Sequence, residues 1–148
     1  MKLCIIGTGY VGLVSGTCFS DLGNKVICTD TNKDKINKLN SGKIPIYEPG
    51  LNEIIRKNFD QNRLSFTTDI SASIKNSDVI FICVGTPTKK KSNKANLKYV
   101  FNVAKLISKN INKYKIIVTK STVPVGTGDE IEKIVKKKKK LFTVISNP

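Results

Sequence analysis

The sequence predicts an α/β fold: a doubly wound parallel sheet of about six strands with helices on both faces. Three observations lead there. Short apolar runs alternate with segments of helical period, as expected where crossover helices join parallel strands. The run Val79-Ile80-Phe81-Ile82-Cys83-Val84 shows no polar alternation, so it reads as a central strand covered on both faces. The first apolar run leads directly into a glycine-rich turn and then into a helical pattern.

Taken in order, strands are expected at Lys2–Ile6, Lys25–Thr29, Leu64–Thr67, Val79–Val84, Ile116–Thr119 and Leu141–Ile145. In the first helix Val11, Val14, Cys18 and Leu22 form one apolar stripe, and Gly23 stops it. Leu51, Ile54 and Ile55 mark a shorter helix. Leu97, Val100, Phe101, Ala104, Ile107 and Ile111 share one face of a later one. Pro45 to Gly50 reads as a turn-rich loop, and Val84 to Asn96 as a long polar loop after the central strand. Right-handed crossovers then place helices on both faces. The last strand is expected near the sheet edge, where it is prone to association.

The 148 residues suffice for one domain, spanning 1–148. No apolar run approaches the roughly 20 residues that span a bilayer. The N-terminal apolar run is short and continues into glycines, unlike a secretion signal. The expected location is the cytoplasm, with no membrane partner. The formal net charge is +15. Only Arg56 and Arg63 are arginines, and base readout leans on arginine. The lysines are spread along the chain, so no nucleic-acid partner is expected. The positive field helps instead to draw in an anionic ligand. The dense run Lys136 to Lys140 reads as a solvated helix end. Cys4, Cys18, Cys28 and Cys83 lack C-x-x-C spacing and are expected to be buried and reduced. Histidine is absent, which removes imidazole catalysis and ligation from this segment; no metal site is expected.

Gly7-Thr8-Gly9-Tyr10-Val11-Gly12 fits G-x-G-x-x-G, and it follows a strand and opens a helix as that pattern requires. Gly7 lets the chain turn sharply. Gly9 lets a pyrophosphate approach the backbone. Gly12 lets the helix pack closely on the strand. The helix N-terminus offers free N–H groups and a positive dipole end. These features describe a Rossmann dinucleotide site. Asp30 ends the second strand, 18 residues after Gly12, near the spacing expected for a carboxylate that accepts from the adenosine ribose 2′-OH. A 2′-phosphate there would be repelled by about 4 kcal/mol at ~4 Å and an effective dielectric near 20. The expected cofactor is therefore NAD, with Lys33 and Lys35 softening the repulsion of NADP. Two further loops follow strands: Val84-Gly85-Thr86-Pro87-Thr88, and Lys120-Ser121-Thr122-Val123-Pro124-Val125-Gly126-Thr127. Both pair hydroxyls with Gly and Pro, which suits rigid donor-bearing loops. The expected cofactor set is Gly7, Gly9, Tyr10, Val11, Gly12, Asp30, Lys35, Val84, Gly85, Thr86, Pro87, Ser121 and Thr122.

With GTGYVGLVSG at the start, PIYEPGL at 45–51, VGTPT at 84–88 and KSTVPVGTG at 120–128, the whole chain resembles the N-terminal part of the UDP-glucose/GDP-mannose dehydrogenase family. The resemblance implies oxidation of the C6 alcohol of UDP-glucose to the carboxylate of UDP-glucuronate, reducing two NAD. An aldehyde, a thiohemiacetal on a cysteine and a thioester would be the intermediates. By the same resemblance Val11, Asp30, Lys35, Thr86 and Thr122 match positions that contact NAD, and Thr122 matches a threonine of the catalytic hydrogen-bond network. Ser146-Asn147-Pro148 looks like the start of the family's N-P-E-F-L stretch. The family's catalytic glutamate, lysine, asparagine, cysteine and aspartate are expected beyond Pro148, so the chain reads as an N-terminal portion that is inactive alone. Most of the UDP-glucose site and a homodimer or larger homo-oligomer are expected of the longer protein. The alternatives are a sister enzyme acting on UDP-N-acetylmannosamine or GDP-mannose, and a non-catalytic NAD-binding fragment.

Overall fold

The computed structural model describes residues 1–88, 94–136 and 142–148. The elements run β1 (Lys2–Ile6), α1 (Tyr10–Asp21), β2 (Lys25–Thr29), α2 (Lys33–Asn40), α3 (Leu51–Asp60) and β3 (Leu64–Thr67). They continue with α4 (Ile70–Asn76), β4 (Val79–Ile82), α5 (Lys98–Asn110), β5 (Lys115–Thr119), α6 (Thr127–Lys136) and β6 (Phe142–Ser146). The strands form one sheet in the order β3-β2-β1-β4-β5-β6, and every pair is parallel. The expected fold class therefore stands. No helix among the described residues is long and apolar enough to cross a membrane.

Strand β1 shows why the apolar runs lack polar alternation. Leu3 and Ile5 join the core on one face of the sheet, with Leu13, Ile36, Leu39, Leu51 and Ile55. Cys4 and Ile6 join the core on the other, with Ile74, Val100, Ala104, Ile107 and Ile131. Both faces of the sheet are covered, so Leu3 to Ile6 are all buried.

The first helix corrects the sequence reading. Val11, Cys18 and Leu22 are exposed and Val14 is half-buried. The buried face is instead Gly12, Leu13, Gly16, Thr17 and Ser20. The cause is close approach. A Cβ on Gly16 would meet Cys28 Sγ at 2.6 Å and Ile5 Cγ1 at 3.1 Å. Small residues let α1 lie directly on the sheet beside the buried Leu13, while Val11, Cys18 and Leu22 turn outward. The two buried hydroxyls are satisfied inside the helix, Thr17 donating to the Leu13 carbonyl and Ser20 to that of Thr17. Gly23, with φ +89, follows the helix as its stop. The reading of all four cysteines as buried fails at Cys18, which lies on this outward face; all four are free thiols.

Other boundaries shift by small, explicable amounts. β4 ends at Ile82, two residues earlier than expected. Both Lys120 and Ser121 donate their N–H groups to the Ile82 carbonyl, which diverts the ladder into the loop. α2 and α4 escaped the sequence reading because each is short and buries only two residues, Ile36 and Leu39 in one, Ser73 and Ile74 in the other. Their starts carry side-chain caps: Asn32 accepts from Lys35 N at 3.0 Å and Asp69 from Ala72 N at 2.9 Å. Residues 137–140 of the lysine run, Leu141, and residues 89–93 of the loop after β4 lie outside the described residues. β6 forms one edge of the sheet.

Two buried features couple stability to alkaline pH. Burial pushes the Cys4 and Cys83 thiols from 9.0 up to about 12 and also raises Cys28. At the start of β5, Lys115 is buried, its ammonium donating to the Lys75 and Ser77 carbonyls at the end of α4; burial lowers its pKa from 10.5. The raised thiols contribute stability that is complete below 9.0 and falls as pH climbs toward their folded values. Each removes about 1.4 kcal/mol per pH unit in that window. Lys115 acts oppositely just below 10.5, since its lowered pKa leaves the unfolded state binding the extra proton there. Urea unfolding should show falling stability above pH 9.0, with the slope in Cys28→Ala reduced by about 1.4 kcal/mol per unit. A flat profile from 9.0 to 10.5 would contradict this assignment.

Candidate functional site

The winding reverses between β1 and β4. From β1 the chain runs outward through β2 and β3, then returns to place β4 on the other side of β1. In open parallel sheets, this is where a ligand crevice opens at the carboxyl ends of the strands. A crevice of about 560 Å³ lies there, bordered by Gly7, Gly9, Asp30, Lys35, Val84 and Gly85. A larger groove, about 670 Å³, lies between α2 and α3 beside Arg56 and Phe59. Its lining is α2, the Ser41-Gly42 turn and α3, away from the strand ends and from the Gly7–Gly12 turn that opens α1, so the chemistry favours the smaller crevice.

The glycine turn is built by steric exclusion. Gly7 has φ +106, and a Cβ there would lie 2.7 Å from the Cys83 carbonyl oxygen. A Cβ on Gly12 would lie 1.8 Å from the Gly7 carbonyl oxygen. These two positions are glycine because the protein's own backbone fills the space. Gly9 differs: a Cβ there meets nothing within 4 Å, and the residue is exposed. Its φ of −72 is open to any residue. The internal packing gives no reason for glycine at position 9, whereas a close-approaching ligand does. Gly9 also caps α1 without a side-chain hydrogen bond, leaving the first N–H groups of the helix for an incoming anion.

Asp30 follows β2 and faces this turn. Its Oδ2 accepts from Thr8 N at 3.0 Å, Thr8 Oγ1 at 2.8 Å and Lys35 Nζ at 3.0 Å, while Oδ1 accepts from Asn32 N at 3.1 Å. Burial acts to raise the carboxyl pKa. The hydrogen bonds from Thr8, Asn32 and Lys35 outweigh it and hold the group below the usual aspartate range, so it is an anion at neutral pH. A carboxylate offers about four acceptor sites. Oδ2 is saturated, and Oδ1 retains room for one hydroxyl donor. A ribose hydroxyl could donate to that oxygen, with Lys35 (side chain 31% exposed) beside it as a further donor.

The two later loops are bound to each other. Thr86 Oγ1 donates to the Thr122 carbonyl at 3.0 Å, and Ser121 Oγ donates to the Val84 carbonyl at 2.7 Å. Thr122 is exposed, and its side chain is not part of the crevice wall. Tyr10, 55% exposed, donates its hydroxyl to Glu48 of the loop before α3, which raises the tyrosine pKa. Val11 is exposed beside it. The structure thus gathers Gly7, Gly9, Asp30, Lys35, Val84 and Gly85 around one cavity. Thr86, Ser121 and Thr122 form an adjoining pair of loops.

Sequence reasoning missed several residues here. Thr8 occupies the position that the glycine pattern leaves free, so no spacing marks it. Tyr99, Asn102 and Leu106 bring one face of α5 into the crevice wall. The stripe from Leu97 to Ile111 showed a helix but not which side of it a ligand would meet. Cys83 forms part of the crevice wall as an inert buried thiol rather than a nucleophile.

Comparison with known proteins agrees with this geometry. The family model for the NAD binding domain of the UDP-glucose/GDP-mannose dehydrogenase family matches residues 1–148. The UDP-glucose 6-dehydrogenase TuaD of Bacillus subtilis is 54% identical over 99% of this chain and 32% of its own length. The UDP-glucose 6-dehydrogenase of Rhizobium meliloti is 48% identical over 100% of this chain and 34% of its own. Among solved structures, a UDP-glucose dehydrogenase from Pyrobaculum islandicum superposes with a TM-score of 0.94 at 35% identity, covering 99% of this chain and 35% of that one. A GDP-mannose dehydrogenase from Pseudomonas aeruginosa, solved as a ternary complex, gives 0.93 at 37%, covering 100% and 36%. The chain spans about a third of the length of these relatives. With its sheet order, glycine turn and full-length family match, the chain belongs to the UDP-glucose/GDP-mannose dehydrogenase family and comprises its NAD-binding domain.

Proposed function

We propose that the switch-point crevice holds NAD through Asp30 and Lys35 at the adenosine ribose. The N–H groups around Gly9, Tyr10 and Val11 would hold the pyrophosphate, and the loops carrying Val84, Gly85, Thr86, Pro87, Ser121 and Thr122 would meet the nicotinamide end. The observation that carries this reading is the anionic Asp30 bonded to the glycine turn through Thr8. It supplies an acceptor for a 2′-hydroxyl and a repulsive charge for a 2′-phosphate. The bound dinucleotide supplies the hydride acceptor. This chain's residues bind and orient it, and the bonded loops fix the floor on which a substrate alcohol is presented. Thr122 would position the reacting groups at that end.

For the complete protein we propose a cytoplasmic UDP-glucose 6-dehydrogenase, forming UDP-glucuronate as a homodimer or larger oligomer. Identity to UDP-glucose 6-dehydrogenases across the whole chain supports that sugar. The similarity to a GDP-mannose dehydrogenase supports GDP-mannose as second choice, at 37% identity against 54%.

Two outcomes follow. Fluorescence titration should show tighter binding of NADH than of NADPH, and Asp30→Ala should narrow the gap by weakening the first and relieving the second. Equal affinities in the unsubstituted chain would contradict the role of Asp30. In the complete enzyme, each UDP-glucose consumed should yield two NADH, with GDP-mannose a poor substrate. A yield of one, or preference for GDP-mannose, would overturn the proposed reaction.

A further inference from the structure

We infer that Thr8 is a positioning residue for the cofactor: it pins one oxygen of Asp30 so that the other is presented to the ligand's ribose hydroxyl. The inference rests on the reading of Asp30 as ribose acceptor and deepens it. Thr8 lies between two glycines of the turn, yet it is 1% exposed. Its N–H and its hydroxyl both donate to the same carboxylate oxygen, Oδ2, at 3.0 and 2.8 Å. Lys35 Nζ adds a third donor to that oxygen. Oδ1 receives only the Asn32 N–H.

This asymmetry has a chemical consequence. A carboxylate held only by its backbone rotates about its terminal torsion, which is broad for aspartate. Three donors on Oδ2 and one on Oδ1 fix the plane and leave the remaining acceptor site on Oδ1. The backbone N–H of residue 8 would be present with most side chains there. The hydroxyl is what threonine adds, and it also bonds the glycine turn to the end of β2. A misplaced turn and a misaimed carboxylate are thereby excluded together. The donors also stabilise the ionised form, consistent with the lowered pKa of Asp30. Thr8 touches no reacting atom and acts through Asp30.

The test compares the unsubstituted chain with Thr8→Val, Thr8→Ser and Asp30→Ala, reading NADH and NADPH dissociation constants. Valine keeps the shape and removes the hydroxyl. Losing one hydrogen bond to a charged group should weaken NADH by about tenfold. NADPH should change much less, so the preference narrows. Thr8→Ser, which keeps the hydroxyl, should retain the original preference. If Thr8→Val weakens both cofactors equally, or leaves the preference intact while Asp30→Ala abolishes it, the positioning role is overturned and the Asp30 reading stands. If Asp30→Ala leaves the preference intact, the Asp30 reading falls and the inference with it. Should Thr8→Val not fold, Thr8→Ala, which also lacks the hydroxyl, decides by the same comparison: a narrowed NADH preference supports the positioning role, and an unchanged preference overturns it.

Discussion

The fold of the site depends on one close approach: helix α1 lies so near the end of β1 that Gly12 rests against the Gly7 carbonyl. No side chain fits between them. The contact fixes where the helix begins, so the free N–H groups of its first turn lie over the switch point rather than beside it. Gly16 extends the same contact along β1 and β2. Overpacking at such a contact costs about 1–3 kcal/mol and shifts backbone. Here the shifted backbone would be the ligand-binding turn itself. The packing of α1 and the shape of the proposed cofactor site thus depend on the same few small residues.

Charge is arranged around this scaffold with economy. The chain carries +15, yet the crevice contains a carboxylate that must remain anionic. It does so by local donors rather than by the diffuse field. Thr8, Asn32 and Lys35 lie within hydrogen-bond range, whereas distant lysines are screened over roughly 10 Å at ordinary salt. The global charge draws anions toward the surface, and in the proposed function Asp30 would discriminate among them at contact distance.

The sheet, its strands and the glycine turn were legible because their signals are local and redundant. Runs such as Val79–Ile82 are apolar at every position, and Gly7 and Gly12 each answer a separate steric need. The outward stripe of α1 was not legible. Period 3.6 identifies a helix, but the side facing the sheet was chosen by size: Gly12, Gly16, Thr17 and Ser20 are buried while Leu22 is 78% exposed. Hydrophobicity ranks those residues in the wrong order. In the site, Asp30 could be found by spacing from Gly12, but Thr8 could not, since its role appears only when the turn and β2 come together. The α5 wall with Tyr99 was hidden for the same reason.

The central claim is that the ligand sits at the switch point between β1 and β4, and not in the larger groove between α2 and α3. The most direct measurement is an amide ¹H–¹⁵N titration of the chain with NAD. The account predicts that shifts concentrate at residues 7–12, Asp30, Thr31, Val84 and Gly85, while Asn40, Ser41, Arg56 and Lys57 stay in place. Shifts centred on the α2–α3 groove, with the glycine turn unmoved, would contradict it.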